Sequence, residues 1–111
     1  MSIQFTNLLA AIGTINVSRV REIISQDPSI IHELSPSGYT PLYIALTNCY
    51  TLTRTHKFRL RDHNPDITTH IVNSYQIVDS LLDAGANVPP QFVSSTIVKK
   101  YWKKKHQIKL I

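Results

Sequence analysis

The hydrophobic positions of this chain predict short helices separated by turns that glycine and proline mark. Residues 7–12, NLLAAI, are a short run that we expect to be helical and to stop at Gly13, which can take the left-handed conformation of a helix C-cap. Residues 17–26 carry apolar side chains at steps of three, three and one, which is the spacing of one helix face. Pro28 ends this second helix, because the residue before a proline disfavours the α conformation. The four apolar positions are Val17, Val20, Ile23 and Ile24.

The middle of the chain is predicted to form a turn followed by a helix. Ile30 and Ile31 are expected to be extended, and residues 35–38, Ser-Pro-Ser-Gly, are a turn by composition. Thr40 can cap the next helix with its hydroxyl, and a proline at the following position loses no needed hydrogen bond. This helix has the apolar stripe Leu42, Ala45 and Leu46.

Two more helices are predicted after a segment without clean periodicity. Within residues 49–73, Arg54 to Arg61 could be a short helix or extended, and Asn64-Pro65-Asp66 is a break. Residues 74–84 are predicted to be helical up to Gly85, since their apolar residues repeat at i, i+1, i+4 and i+5. After a loop over 87–90, we expect a last helix from Gln91 to about His106. Its apolar side would consist of Val93, Ile97, Val98, Tyr101 and Trp102.

The predicted elements fall into two similar units, each a short helix, a turn, a longer helix and an extended turn. In the second unit, Gly38-Tyr39-Thr40-Pro41-Leu42-Tyr43-Ile44-Ala45 resembles the G-x-T-P-L-H-x-A motif of the ankyrin repeat. Residues 77–88, IVDSLLDAGANV, resemble the ankyrin outer helix and its G-A-[DN]-V exit. Residues 8–31 look like a preceding repeat, with Asp-Pro-Ser at 27–29 as a variant of the exit.

The resemblance implies an all-α fold, a short ankyrin-type stack of helix-turn-helix repeats with a C-terminal capping helix. Residues 1–111 would form a single domain, with a first repeat over 5–37 and a second over 38–88. The second repeat would be split by an insertion at about 49–73, and residues 89–111 would be the basic capping helix. Tyr43 stands where the family has histidine. Because repeat stacks usually need about three repeats, the capping helix, the insertion, an oligomer or a partner would have to cover exposed core.

The ankyrin resemblance also implies a function, that of a non-enzymatic protein-protein interaction scaffold. Partners of such repeats commonly contact the turn tips and the inner helices. The corresponding positions in this chain are Ser37, Gly38, Tyr39, Tyr43, Thr47 and Asn48. Tyr39 is the favoured position, since an aromatic side chain at a turn tip is a typical hot spot. The insertion either contributes specificity or is a solvated loop.

Charge offers a second hypothesis, because it is concentrated in two segments. The 111 residues carry 12 Lys and Arg against 7 Asp and Glu, a net charge of +5. Residues 89–111 contain six lysines and no acidic residue, and residues 49–73 have a net charge of +2. The C-terminal lysines are either the solvated face of a cap or a patch for nucleic acid or an anionic surface. That patch would comprise Lys99, Lys100, Lys103, Lys104 and Lys105.

The remaining chemistry gives weak signals for metal binding, catalysis or export. Cys49, His56, His63 and His70 recur every seven residues, but structural zinc sites usually pair ligands two to five residues apart. We therefore expect no metal, no cofactor and no enzymatic activity. The single cysteine, the absence of a basic residue before Arg19 and the lack of a membrane-length apolar run favour the cytoplasm. Secretion without a signal peptide is not tested by these features.

Overall fold

Helices make up the secondary structure throughout the described part of the chain. The structure is a computed structural model that describes residues 3–58 and 65–93, together with residues 95, 98, 99 and 102. Among these residues the fold is all-α, as predicted, and contains no strand. The helices are α1 (Ile3–Gly13), α2 (Val17–Gln26), a 3₁₀ helix (Pro28–His32), α3 (Pro41–Phe58), α4 (Pro65–Asp83) and α5 (Pro90–Val93).

The four long helices form two pairs that lie one on the other. A connection of three residues joins α1 to α2, and α3 packs along α4 over the most extensive contact of the fold. Each helix of the first pair contacts one helix of the second pair, since α1 contacts α3 and α2 contacts α4. The core lies between these layers, and its largest fully buried side chains include Phe5, Leu8, Ile12, Ile23, Leu42 and Leu81.

The helix α1 ends at Gly13, as predicted, but this glycine does not take the left-handed conformation expected of it. Gly13 is the last residue of α1, and the left-handed position falls on Ile15, which has a φ of 57°. The Ile15 N–H donates to the Ile12 carbonyl at 3.1 Å and the Asn16 N–H donates to the Ala11 carbonyl at 2.9 Å. This is the Schellman pattern of helix ends. A β-branched residue is strained there, but its side chain packs against the core, which the glycine could not do.

The end of α4 follows the same pattern with the expected residue. Gly85 has a φ of 101°, its N–H donates to the Leu82 carbonyl at 3.0 Å, and the Ala86 N–H donates to the Leu81 carbonyl at 3.1 Å. The prediction that Gly85 stops this helix is confirmed.

The residues after α2 form a 3₁₀ helix, so the expectation of an extended stretch at Ile30 and Ile31 is wrong. Pro28 sits at the start of this helix, where its fixed φ suits a helical turn. The turn buries both isoleucines, each of which is only 2% exposed. In an extended segment, two neighbouring side chains point to opposite sides. The helical turn instead lets both isoleucines enter the same core.

The insertion predicted at 49–73 is largely helical and lengthens both helices of the second pair. α3 continues to Phe58, and α4 starts at Pro65, nine residues before the predicted helix. Threonine and serine hydroxyls donate here to helix carbonyls three or four residues earlier, so these side chains find hydrogen-bond partners within the helix. Thr53 Oγ1 donates to the Cys49 carbonyl and Ser74 Oγ to the Ile71 carbonyl, both at 2.7 Å. Residues 59–64 lie outside the described part of the chain.

The lengthened pair projects beyond the first pair. α1 and α2 have 11 and 10 residues, whereas α3 and α4 have 18 and 19. Asn48 Nδ2 donates to the Ile12 carbonyl at 3.5 Å, so the last turn of α1 lies beside the middle of α3. The Arg21 Nε donates to Ser80 Oγ at 3.2 Å, which sets α2 beside the C-terminal half of α4. The helical extensions therefore run past the α1–α2 connection.

The C-terminal segment is not the single helix predicted for residues 91–106. α5 ends at Val93, and Ser95 is not helical. Helical hydrogen bonds then run from the Lys99 N–H to the Ser95 carbonyl and from the Trp102 N–H to the Val98 carbonyl, at 2.9 and 3.0 Å. α5 contacts α3 through the rings of Phe92 and Tyr43, and Val98 and Trp102 enter the core at 1% and 3% exposure. Ile97 and Tyr101 lie outside the described residues.

Candidate interaction surface

The connection between the two helix pairs forms a tight and well-bonded turn. The Ser35 N–H donates to the Tyr39 carbonyl and the Gly38 N–H to the Ser35 carbonyl, both at 2.8 Å. Ser35 Oγ accepts a third bond from the Tyr39 N–H at 3.2 Å. Gly38 has a φ of 86°, which a residue with a side chain adopts only under strain. Ser37 and Gly38 are exposed at the tip, and the bonds on either side fix the direction in which Tyr39 leaves it.

The start of α3 places a second tyrosine against the first. Thr40 Oγ1 accepts the Tyr43 N–H at 3.2 Å and so caps the helix, as predicted. The rings of Tyr39 and Tyr43 stack with their centroids 4.3 Å apart and their planes within 7° of parallel. Phe92 of α5 meets Tyr43 edge-on, at 5.3 Å and 74°. The three rings form a continuous aromatic row.

This row borders a groove of about 330 Å³ between the turn tip and the loop before α5. We call it the aromatic groove, and the lining residues that the structure describes are all uncharged at neutral pH. Its lining consists of Gly38, Tyr39, Thr40, Tyr43, Asn87, Val88, Pro89, Pro90 and Gln91. The sequence pattern predicts residues 87–90 only as a loop and does not indicate Phe92 or the two prolines as site residues. Nothing in the local pattern of those residues points to Tyr43.

Three of the six residues predicted to contact partners line the aromatic groove, and the other three lie outside its lining. Gly38, Tyr39 and Tyr43 line the aromatic groove, and Ser37 lies next to it at the tip. Thr47 is exposed one turn further along α3, where its hydroxyl donates to the Tyr43 carbonyl at 2.9 Å. Asn48 is half-buried and faces α1, so its side chain connects the two helix pairs.

A second concavity lies where α4 projects past the first helix pair. This groove of about 510 Å³ has a mainly polar lining, and among the described residues that line it Arg21 is the charged one. The Arg21 Nε is already bonded to Ser80. The other lining residues are Thr14, Ile15, Asn16, Val17, Ser18, Asn73 and Gln76.

The basic patch predicted at the C-terminus is described at one of its five lysines. Lys99 is exposed, next to the buried Val98. Lys100, Lys103, Lys104 and Lys105 lie outside the described residues. An exposed Lys99 fits both hypotheses for this segment, the solvated face of a cap and a patch for nucleic acid or an anionic surface.

Cys49 is the buried member of the seven-residue series of potential metal ligands. His70 is exposed on α4, and the side chains of His56 and His63 are outside the described part of the chain. Within that part, no group of three or more His, Cys, Asp or Glu side chains is arranged to hold a metal ion. Burial raises the pKa of the Cys49 thiol to about 11, although hydrogen bonds with the hydroxyls of Ser74 and Thr53 act to lower it.

The buried thiol of Cys49 is expected to be unreactive in the folded protein at neutral pH. Because the folded chain holds the thiol proton more tightly than the unfolded chain, the free energy of unfolding falls as pH rises from about 9 to about 11. Thiol labelling at pH 8 should therefore be slow until denaturant is added. The pH slope of chemical denaturation should be shallower in a Cys49→Ala variant, which controls for the other groups that titrate in this range. Labelling of the folded protein as fast as the denatured chain would contradict the burial.

None of the helices in the described part of the chain combines the length and hydropathy needed to cross a membrane.

Comparison with known proteins assigns no function to the aromatic groove. Comparisons with protein-family models, curated proteins and solved structures found no match for the chain.

Proposed function

We propose that this protein is a non-enzymatic interaction scaffold of ankyrin-repeat type that binds a protein partner through the aromatic groove. The observation that carries the proposal is the stacked pair of Tyr39 and Tyr43, held at a hydrogen-bonded turn and left partly open to solvent. Tyr39 remains 42% exposed. Tyrosine is enriched among the residues that dominate binding energy, because it offers a large contact area with few rotatable bonds.

The ankyrin-type architecture draws support from the arrangement of the helix pairs. α1 packs on α3 and α2 on α4, which is how successive helix-turn-helix repeats would stack. Gly38 and Gly85, the two glycines of the resemblance, have positive φ angles, and Thr40 and Pro41 begin α3 as that motif would require. The helical extensions of α3 and α4 are then an addition to the second repeat.

A preformed surface favours binding over a purely structural use of these aromatic residues. Three hydrogen bonds hold the turn around Ser35, so Tyr39 loses little conformational freedom when a partner covers it. The groove also combines apolar contact area with amide groups at Asn87 and Gln91, the mixture typical of interface cores and their rims. The buried, unpaired thiol of Cys49 is compatible with the reducing cytoplasm as the site of action.

Tyr39→Ala is expected to weaken partner binding by more than about 1 kcal/mol while leaving the fold intact. The ring contributes to the open surface and contacts Tyr43, but it is not part of the buried core. Affinity capture with mass spectrometry from cells would first identify the partner, and calorimetry with the purified partner would then measure the affinity of each variant.

Tyr50→Ala is the matched control for that experiment. Tyr50 is 50% exposed on α3, does not line the aromatic groove and has the same side chain. It should leave the affinity nearly unchanged. Equal affinities of the wild type and the Tyr39→Ala variant would remove the aromatic groove from the binding site.

A further inference from the structure

We propose that the aromatic groove binds an uncharged, proline-rich segment of the partner in the polyproline II conformation. This inference rests on the proposed function and specifies the chemistry of the ligand. It is argued from the lining of the groove, the geometry of its rings and the hydrogen-bonding groups at its rim.

The charge of the groove selects against charged ligands. Among the described residues that line it, nine in number, none carries a charge at neutral pH. A lysine or glutamate of a partner would lose hydration there without gaining an opposite charge. The +5 charge of the whole chain would in addition repel a basic peptide. A neutral segment avoids both penalties, so charge complementarity favours it.

Tyr39 presents one open ring face that suits proline. Tyr43 stacks on the other face, with the ring centroids 4.3 Å apart and the planes within 7° of parallel, and Phe92 meets Tyr43 edge-on. The Tyr39 ring is therefore held in place while it remains 42% exposed. Proline rings pack on such surfaces, and a polyproline II segment is already extended before binding, which lowers its entropy loss. A groove of about 330 Å³ accommodates a short stretch of such a segment.

The hydrogen-bonding groups of the groove match a backbone that lacks donors. Each proline of a ligand removes one N–H and keeps a solvated carbonyl that accepts. Asn87 and Gln91 are exposed, and their side-chain amides each carry donor N–H groups, as do the hydroxyls of the two tyrosines. The groove therefore offers donors where a proline-rich ligand offers acceptors.

The test uses the full chain and end-blocked peptides of repeated Ala-Pro-Pro units, followed through the assigned ring signals of Tyr39 and Tyr43 by nuclear magnetic resonance. We expect saturable shifts of these signals. Tyr39→Ala should weaken binding by about fivefold or more, whereas Tyr50→Ala should leave it unchanged. Peptides of the same length with Ala-Ser-Ser units should bind much more weakly.

Three results would overturn the inference: no saturable shift with the proline-rich peptide, equal binding of the Ala-Ser-Ser peptide, or tighter binding of versions that carry lysine or glutamate. These results are distinguishable from failure of the proposed function. If the proline-rich peptide does not bind but Tyr39→Ala still weakens binding of the purified cellular partner, the groove remains a protein-binding site with a different ligand. If Tyr39→Ala leaves the partner's affinity unchanged, the proposed function itself is wrong.

Discussion

Replacing Trp102 by alanine is expected to destabilise the fold by about 3–5 kcal/mol, the usual loss for a buried tryptophan. Trp102 is only 3% exposed and belongs to the same core cluster as the helices of both pairs. Its ring meets Tyr75 of α4 edge-on at 5.5 Å and 81°. Removal of this side chain would open a cavity at the end of the core, where the chain has no further described helix pair to close it.

The expected loss can be measured by urea denaturation followed by far-ultraviolet circular dichroism, because the variant lacks the chain's only tryptophan fluorophore. Trp102→Phe keeps an aromatic ring near Tyr75 and should lose less stability. Lys99→Ala, an exposed change three residues away, should shift the free energy of unfolding by no more than about 0.5 kcal/mol. If Trp102→Ala unfolds like the wild type, residues 98–102 do not complete the core and the idea of a C-terminal cap is wrong.

The parts of the fold that were predictable from sequence are those with strong local signals. The bounds predicted for α2, Val17–Gln26, are those of the structure, since its apolar face is regular and Pro28 follows shortly after its end. Asn16 also caps it, with its Oδ1 accepting the Arg19 N–H at 3.2 Å. At α1, by contrast, the burial of Ile15 outweighs the local preference for glycine. Where the left-handed residue falls thus depends on packing against the core, which a short stretch of sequence does not show.

The candidate site was predictable from sequence on one side only. Tyr39 and Tyr43 belong to a turn-and-helix motif whose spacing already brings them together. Phe92 lies almost fifty residues beyond Tyr43, so their ring contact is a long-range one that no local pattern shows. The apolar pattern of residues 91–106 predicts one continuous helix, because Val93 continues the same stripe as Val98 and Trp102. The non-helical Ser95 carries no proline or glycine signal that would mark the break.

Thr53→Pro is expected to destabilise the protein by about 3 kcal/mol or more, which would show that the insertion is a continuation of α3. Thr53 is the thirteenth residue of α3 and lies five residues before its end. Proline there removes the N–H that bonds to the carbonyl four residues earlier, and its ring clashes with that carbonyl. The carbonyl belongs to Cys49, which is buried in the core and accepts the Thr53 hydroxyl at 2.7 Å, so it has no room to tilt away.

Thr53→Ala separates the backbone effect from the loss of the hydroxyl. Alanine removes the side-chain bond to Cys49 but has a higher helix propensity than threonine, so its net effect on the free energy of unfolding should stay within about 0.5 kcal/mol. An irregular insertion would tolerate proline, and the two variants would then unfold alike. A large difference between them ties residues 49–58 to the helical core, and it would place any specificity from the described part of the insertion on exposed helix faces such as that of Val72.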